Sequence, residues 1–576
     1  MKPSGHPRGL YVLFFTEMWE RFSYYGMRAL LVLYMVAMVE NGGLGLDDKN
    51  ATAIYGLYVA GVYMAALPGG WIADRLLGAQ RAVWWGGIII ALGQFILIIP
   101  REQTFFLGLV VITLGTGMLK PNISTMVGRL YPEGGGRRDA GFTIFYMGIN
   151  LGAMIGPLIC GFFAKQIDWH YGFAAAGVGM VLGLIQYRLF ARHLGDAGKR
   201  INSAQPTSRN DWALLGLGLA ILISVIVLVL TGIIEIDPDW LAERTSYVII
   251  SMAVLYFAYL FSFGKLDGTE KKRIAVIAIL FVTSAIFFAG YEQAGSTFNL
   301  FAERYTNRFI SFLNFETPAS WIQSVPPFFV LILAPIAAGL WMFLARRQKD
   351  PSIPTKFGLG LLFLGLGFVV MAGAAVFVAK GEKVLPTWLI ATYFLHTVGE
   401  LCLSPVGLSS VTKLAPQRLV GQMMGIWFLA TSLGNLCAGV IAGKYFTKES
   451  VPQMPGRFMV IVLIAAGAGI VLLLLAKPIK KLMHGVQYPI LFCRLQHFDS
   501  VDQTFAARSK THGYVLGQLL AVVAVAASFE DYRVAIDDDA QIAHSVAGLL
   551  LNGPFNRSGQ LLCFFQGFRQ IIAERP

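Results

Sequence analysis

The stretch Glu17–Gly26 reads EMWERFSYYG and lies inside an apolar run from about residue 11 to residue 39. That run is long enough to cross a bilayer, which takes about 20 residues in an α-helix. Charged side chains in such a span are costly unless they face a protein interior or a water-filled cavity. Glu17, Glu20 and Arg21 are spaced so that two carboxylates and a guanidinium share one helical face. Such carboxylates change protonation when neighbouring charges change, which indicates a proton-coupled site.

The composition indicates an integral membrane protein. Of the 576 residues, 56% are hydrophobic and 14% are charged, whereas a soluble domain has about 25% charged residues. The net charge of +13 does not indicate nucleic acid binding, because the basic residues fall in short loops and there determine topology. The five cysteines have no metal-binding or redox spacing, so no metal site is predicted.

Fourteen apolar segments have the length of a membrane span and are grouped as six, two and six. Basic residues cluster in alternate loops, and the positive-inside rule places both ends of this unit in the cytoplasm. We therefore predict an all-α membrane protein with two six-helix bundles and an inserted two-helix hairpin. The predicted domains are 1–194 (N-terminal bundle), 195–270 (linker and hairpin), 271–482 (C-terminal bundle) and 483–576 (an extension of unknown role, expected to be poorly ordered).

Charges inside the spans recur at every third helix when the hairpin is left out of the count. In helices 1, 4, 7 and 10 of the twelve core helices they are Glu17, Glu20, Arg21, Arg28, Lys120, Glu292 and Glu400. Transporters with two six-helix bundles contain nested three-helix repeats and bind substrate near the midplane, where the bundles meet. The four charged helices are the first helices of these repeats. We therefore predict a central polar cavity with charges from both bundles.

Three stretches resemble the signature motifs of the proton-dependent oligopeptide transporters, a family of the major facilitator superfamily. The first is Glu17–Gly26, the second is Gly70–Gly78 (GWIADRLLG) after helix 2, and the third is Phe145–Gly152 (FYMGINLG) in helix 5. The inserted hairpin resembles bacterial members, and the resemblance covers about residues 8–482. It implies the major facilitator fold, alternating access, transport of di- and tripeptides with protons, no other cofactor, and function as a monomer in the cell (inner) membrane.

The resemblance also implies roles in proton coupling and gating. Proton coupling is assigned to Glu17, Glu20, Arg21 and Glu292. Arg28 with Glu292 would close the extracellular side, and Lys120 with Glu400 would close the cytoplasmic side when no peptide is bound. Asp74 and Arg75 resemble a conformational latch in a cytoplasmic turn. A purely structural buried cluster is the competing interpretation of Glu17, Glu20 and Arg21, although such a cluster needs no second carboxylate.

The substrate site implied by the resemblance has charges of both signs, because a peptide is a zwitterion. Lys120 and Arg21 would hold the peptide carboxylate, and Glu400 would hold the amino terminus, so that the span from Lys120 to Glu400 measures peptide length. The other residues assigned to the site are Tyr25, Tyr63, Asn150, Ser404 and Trp427. The competing interpretations are a Lys120 side chain that snorkels to a helix end and aromatic residues that only pack or lie at the interface.

Two departures from the family pattern stand out. Pro326 occupies a place in helix 8 where the family commonly has an asparagine, so one side-chain contact to the peptide is missing. Helix 2 contains no histidine, which animal members use for protons, and the proton coupling therefore falls to the glutamates. His396 in helix 10 is expected to be a packed or hydrogen-bonded core residue.

From the sequence we expect a proton-coupled symporter that imports di- and tripeptides across a membrane. The alternative is a related carrier of another zwitterionic or anionic solute, such as nitrate or a peptide-like drug. A membrane-embedded enzyme would need a nucleophile–base pair or clustered metal ligands, and neither pattern is present. A passive channel is disfavoured because four helices bring charges of both signs to one centre.

Overall fold

The computed structural model of the protein describes residues 5–132, 135–200, 208–311 and 314–483. These residues are almost entirely helical, in agreement with the predicted all-α class. The predicted extension after residue 483 lies outside the described residues. The helices are α1 (Arg8–Val36), α2 (Asp48–Ile72), α3 (Ala79–Ile96), α4 (Glu102–Arg129), α5 (Gly135–Gln166), α6 (Trp169–Phe190), α7 (Arg209–Leu230), α8 (Pro238–Phe263), α9 (Gly268–Tyr291), α10 (Thr297–Tyr305), α11 (Val325–Arg346), α12 (Ile353–Ala379), α13 (Thr387–Leu414), α14 (Val420–Tyr445), α15 (Met454–Leu474) and α16 (Ala476–Leu482).

Twelve spans within the described residues are long and apolar enough to cross a membrane. They comprise every helix of 18 residues or more except α1 and α3. Helix α1 falls outside this group although it has 29 residues, because Glu17, Glu20, Arg21 and Arg28 interrupt its apolar sequence. Most of α1 is buried against α5 and α6, so its charges are enclosed by protein, as their cost in lipid requires.

The long helices form two bundles that meet along two helix pairs. Helices α1–α6 pack together, as do α9 and α11–α15. The bundles meet where α2 contacts α14 and where α5 contacts α11. The inserted hairpin lies at the side: α8 contacts α2 and α14, while α7 has few contacts and exposes most of its apolar residues. Three-helix repeats packed in this way bring α1, α4, α9 and α13 toward the central axis.

Acidic and hydroxyl side chains mark the first residues of several helices. A side-chain oxygen that accepts a hydrogen bond from a backbone N–H of the first turn stabilises a helix start by about 0.5–2 kcal/mol. Asp267 also forms a reciprocal capping box with Glu270 at the start of α9. The residues that cap helices in this way are Asp47, Asp168, Ser208, Asp237, Asp267 and Ser352.

Three local features differ from the sequence prediction. Asp74 and Arg75 do not lie in a turn: they are exposed on one turn of π-helix, Ala73–Leu77, that continues α2. Glu292 is not inside a continuous helix 7, because a 3-10 turn, Glu292–Gly295, separates α9 from α10. A short antiparallel pair, β1 (Phe309–Ile310) with β2 (Phe315–Glu316), precedes α11. Periodicity alone does not reveal such breaks, since the apolar pattern continues through them.

Glycines on α5 allow α1 to approach it closely. A Cβ at Gly152 would overlap the carbonyl oxygen of Met18, and one at Gly156 would overlap the carbonyl oxygen of Phe22. A Cβ added at Gly148, one turn earlier, would lie 3.0 Å or less from three atoms of Phe14. Small residues at four-residue spacing let two membrane helices pack backbone to backbone. The FYMGINLG stretch therefore fixes the position of the helix that carries Glu17, Glu20 and Arg21.

Replacing Gly152 with valine is expected to destabilise the protein and to displace α1. Overpacking a tight contact costs about 1–3 kcal/mol or more, and here the obstacle is backbone rather than a flexible side chain. The measurement is the thermal unfolding midpoint of the purified protein in detergent. Gly216→Val is the matched control, because a Cβ added at Gly216 on α7 would meet no described atom within 4 Å. Equal midpoints for the two variants would contradict this account of the α1–α5 contact.

Candidate functional site

Two carboxylates share one guanidinium on α1. The Nε atom of Arg21 lies 2.8 Å from Glu17 Oε1 and 2.7 Å from Glu20 Oε2. All three side chains are buried, and Glu20 has no exposed surface. The predicted one-face arrangement of these residues is therefore present. With two carboxylates and a single guanidinium, the cluster can accept a proton without losing its ion pair.

A second ion pair joins the two bundles. Arg28 on α1 pairs with Glu292, at the turn after α9, and its Nε donates a hydrogen bond to the Tyr55 hydroxyl at 2.7 Å. Both charged side chains are buried. This is the pair that the sequence analysis assigned to a gate. Removing one partner would leave a buried charge uncompensated, which typically costs about 3–5 kcal/mol.

Further contacts join the bundles at the end of the molecule where α2 begins, which we call the Asp48 end. The two terminal guanidinium nitrogens of Arg304 donate hydrogen bonds to the Asp48 carboxylate, at 2.7 and 2.6 Å. Lys165 pairs with Glu316 at 3.1 Å. Two hydrogen bonds add to them: the buried Asn299 Nδ2 donates to the carbonyl of Ala29, and the part-buried indole Nε1 of Trp321 donates to the carbonyl of Leu158. The Asp48 end is therefore held closed by charges and hydrogen bonds from both bundles.

A cavity of about 330 Å³ lies between the bundles. Helices α1, α4 and α13 and the turn after α9 each contribute one charged residue to its wall, namely Arg28, Lys120, Glu400 and Glu292. These elements are the first helices of the four three-helix repeats. Glu17, Glu20 and Arg21 do not line the cavity. The structure thus brings four of the predicted charges together in the cavity wall, whereas the Glu17–Glu20–Arg21 cluster is not part of that wall.

Lys120 is the cavity cation without a carboxylate partner among the described residues. Its Nζ lies 3.8 Å from the centre of the Tyr63 ring, a distance that gives a cation–π contact. No carboxylate oxygen in the described part of the chain is paired with it within 4.0 Å, although the charges of Arg21, Glu20 and Glu17 act on it. Lys120 lies in the interior of α4 and lines the cavity, so it does not snorkel to a helix end.

Glu400 faces the same cavity from α13. The Tyr291 hydroxyl donates a hydrogen bond to Glu400 Oε2, and no Lys or Arg nitrogen within the described ranges lies within 4.0 Å of its carboxylate. The pair predicted between Lys120 and Glu400 is absent in this conformation, in which the Asp48 end is closed. Pairing of these two residues in another conformation stays a prediction.

The remaining predicted residues fall into the cavity wall. They are Tyr25, Tyr63, Asn150, Ser404 and Trp427. The Asn150 Nδ2 donates a hydrogen bond to the carbonyl of Tyr146 at 2.9 Å. The Ser404 hydroxyl has no hydrogen-bond partner among the described residues. A buried hydroxyl of this kind is available to a polar ligand.

His396 and Pro326 also line the cavity. The His396 ring is buried, hydrogen-bonds to the carbonyl of Leu364 at 3.2 Å, and packs against Phe298 and Phe368. These are the contacts of a core residue. Pro326 and Pro327 present carbon atoms where an amide was expected, and Val330 extends this apolar wall by one turn of α11.

Several wall residues were missed by the sequence analysis. Tyr291 directly precedes the predicted Glu292, and it contacts Glu400, a residue 109 positions away on another helix. Gln323 and Tyr393 also line the cavity. Tyr291 could have been identified from the sequence because it lies beside an intramembrane acid. Nothing in the sequence distinguishes Tyr393 from an ordinary packed aromatic. Within the described ranges, no group of His, Cys, Asp and Glu is arranged to hold a metal ion.

Comparisons with known proteins give a family match, similar sequences and similar structures for this chain. The model of the POT family matches residues 80–455. The chain is 44% identical over 501 residues to the "Peptide transporter YePEPT" of Yersinia enterocolitica subsp. palearctica serotype O:3 (strain YE-P4), covering 84% of this chain and 96% of that protein. It is 37% identical over 495 residues to the "Di-/tripeptide transporter" of Lactococcus lactis subsp. cremoris, covering 84% and 98%. The solved structure described as peptide transporter POT in complex with sulfate is similar with a TM-score of 0.76 at 39% identity, covering 84% of this chain and 97% of that one.

Proposed function

We propose that this chain, which belongs to the POT family, imports di- and tripeptides together with protons by alternating access. One observation carries the proposal: Lys120 and Glu400 line the same cavity, and neither forms an ion pair within 4.0 Å among the described residues. A short peptide carries a carboxylate and an ammonium at its two ends. It therefore supplies the missing partner to each residue at once, and its length must match their separation.

The proton requirement follows from the charges around Lys120. When both glutamates are ionised, Glu17 and Glu20 balance Arg21 and Lys120, so the group is neutral as a whole. A peptide carboxylate that binds Lys120 adds a negative charge to this group in a low-dielectric interior, where such an imbalance is costly. Uptake of one proton by the glutamates restores neutrality. Peptide binding and protonation are thus favourable together.

A second proton site opens the gate at the Asp48 end. Protonation of Glu292 removes the negative charge that attracts Arg28, and the ion pair between the bundles is lost. The two bundles can then rock apart at that end, as in other carriers built from two six-helix bundles. The Arg304–Asp48 and Lys165–Glu316 pairs must separate in the same motion.

The loop charges indicate how the protein is oriented in the membrane. Basic residues predominate in the loops on the side of α1's first residue, so we assign this side to the cytoplasm and the Asp48 end to the exterior. We further propose that the protein resides in the cell (inner) membrane and functions as a monomer, as the family resemblance implies. We propose that protons are the coupling ion and assign the protein no catalytic activity and no other cofactor.

The test is uptake of labelled dialanine by proteoliposomes. With an imposed inward proton gradient, dialanine is expected to accumulate inside, and unlabelled di- and tripeptides are expected to compete. A protonophore should reduce the internal concentration to the external one. Uptake no greater than that of empty liposomes would reject the substrate class. Competition by nitrate but not by peptides would instead identify the related anion carrier.

A further inference from the structure

Among the described residues, the hydroxyl of Tyr291 is the polar group that hydrogen-bonds to the Glu400 carboxylate. Tyr291 is the last residue of α9, and its hydroxyl donates to Oε2 of the Glu400 carboxylate on α13. The contact joins two helices that each supply an acid to the cavity. A glutamate side chain has three rotatable bonds, so a carboxylate without such a donor would occupy several orientations.

The tyrosine ring packs against two other rings. It stacks on Phe287, one turn earlier on α9, with ring centres 5.6 Å apart and an angle of 19° between the planes. The His396 ring, one turn before Glu400 on α13, lies 6.4 Å away. The next residue, Glu292, is fixed by its pair with Arg28. The hydroxyl therefore has a defined position relative to Glu400 before any substrate binds.

We propose that Tyr291 is a positioning residue that orients the Glu400 carboxylate toward the amino group of the substrate and so sets the preference for ligands with a free ammonium. This inference rests on the proposed function, in which Glu400 receives the amino terminus. A carboxylate has about four acceptor sites, so the tyrosine hydroxyl and the ammonium bind to it together and do not compete. Pre-orientation lowers the ordering cost of binding.

The experiment compares two ligands that differ only in the amino group. Dialanine and N-propionyl-alanine have the same backbone and carboxylate, but the second has a hydrogen in place of the ammonium. Their affinities are measured by competition against labelled dialanine in proteoliposomes. In Tyr291→Phe the affinity for dialanine is expected to fall about tenfold, as for loss of a hydrogen bond to a charged group. The affinity for N-propionyl-alanine is expected to change by less than about twofold, since that ligand has no ammonium for Glu400 to bind.

Two controls separate positioning from a structural effect. Tyr393→Phe removes a hydroxyl from the same cavity wall, where Tyr393 is not bonded to Glu400 in the described part of the chain, and should shift both ligands equally. In a Glu400→Gln background, Tyr291→Phe should cause no further loss for dialanine, because a residue that acts through Glu400 has nothing left to orient. Unchanged binding of N-propionyl-alanine also shows that the variant is folded.

The outcomes distinguish this inference from the proposed function. If the wild-type protein transports dialanine and Tyr291→Phe weakens both ligands equally, or weakens neither, the positioning role is refuted. A gain in dialanine affinity would refute it as well, because the hydroxyl would then compete with the ammonium. If the wild-type protein does not transport dialanine at all, it is the proposed function that fails.

Discussion

Glu20→Gln is expected to abolish the accumulation of dialanine against its gradient while leaving exchange of peptide across the membrane partly intact. The neutral glutamine leaves Arg21 and Lys120 with one carboxylate, Glu17, so a peptide carboxylate restores neutrality without uptake of a proton. Peptide binding is then no longer tied to the proton gradient. One elementary charge moving through 100 mV supplies about 2.3 kcal/mol, which corresponds to roughly a 50-fold concentration ratio for one proton per peptide. In the variant the internal and external concentrations should become equal. Glu20 is the choice because it is fully buried, pairs with Arg21 at 2.7 Å and acts electrostatically on Lys120.

The measurement uses two modes of the same proteoliposomes. Driven uptake is recorded with an imposed proton gradient, and counterflow is recorded with unlabelled dialanine inside and no gradient. Glu102→Gln is the matched control, since Glu102 is exposed in the first turn of α4, and both modes should be normal in it. Normal driven uptake by Glu20→Gln would move the coupling role to another carboxylate, such as Glu292, which pairs with Arg28 between the bundles.

Lys120→Gln is expected to weaken dialanine binding by about 30-fold to several thousand-fold. Truncating one partner of a buried, hydrogen-bonded charge pair costs about 2–5 kcal/mol. Lys120 is the cavity cation that forms no ion pair with a described carboxylate. Arg28 cannot take its place, because Glu292 and Tyr55 already bind its guanidinium. The measurement is the concentration of unlabelled dialanine that halves tracer uptake, or the ligand-induced shift in thermal stability where uptake is too low.

The ligand provides the control for this second substitution. Dialaninamide lacks the carboxylate, so it should bind weakly to the wild-type protein and lose little further affinity in Lys120→Gln. Lys380→Gln, at an exposed lysine after α12, should bind dialanine normally. An equal loss for dialanine and dialaninamide would show that Lys120 supports the fold of the cavity and does not hold the carboxylate.

The two substitutions report on neighbouring groups with different tasks. Glu20 lies behind the cavity wall, whereas Lys120 is part of the wall. Peptide affinity should therefore depend strongly on Lys120 and weakly on Glu20, while the accumulation ratio should depend on both. This division is what a carrier needs if substrate and proton are to bind favourably together without direct contact.

Sequence alone was sufficient for the features that arise within one helix or between repeats. The Glu17–Glu20–Arg21 cluster forms because residues three and four apart meet on a helix face, and its ion pairs are present as expected. The long helices follow from the bilayer length of the apolar segments. The recurrence of charges in the first helix of each repeat also predicted one cavity for Glu17, Glu20, Arg21, Arg28, Lys120, Glu292 and Glu400. The last four of these residues line it.

Only the tertiary structure decided which of these charges are neutralised. The Arg28–Glu292 pair was implied by the family resemblance, although it joins residues 264 positions apart. Lys120, in contrast, lies on an aromatic ring instead of a carboxylate, and Glu400 accepts a hydrogen bond from a hydroxyl that the sequence analysis did not assign. The exclusion of Arg21 from the cavity wall was likewise not predictable. The physical reason is that helical periodicity fixes the face on which a side chain lies, whereas its partner depends on the rotation and approach of helices distant in the chain.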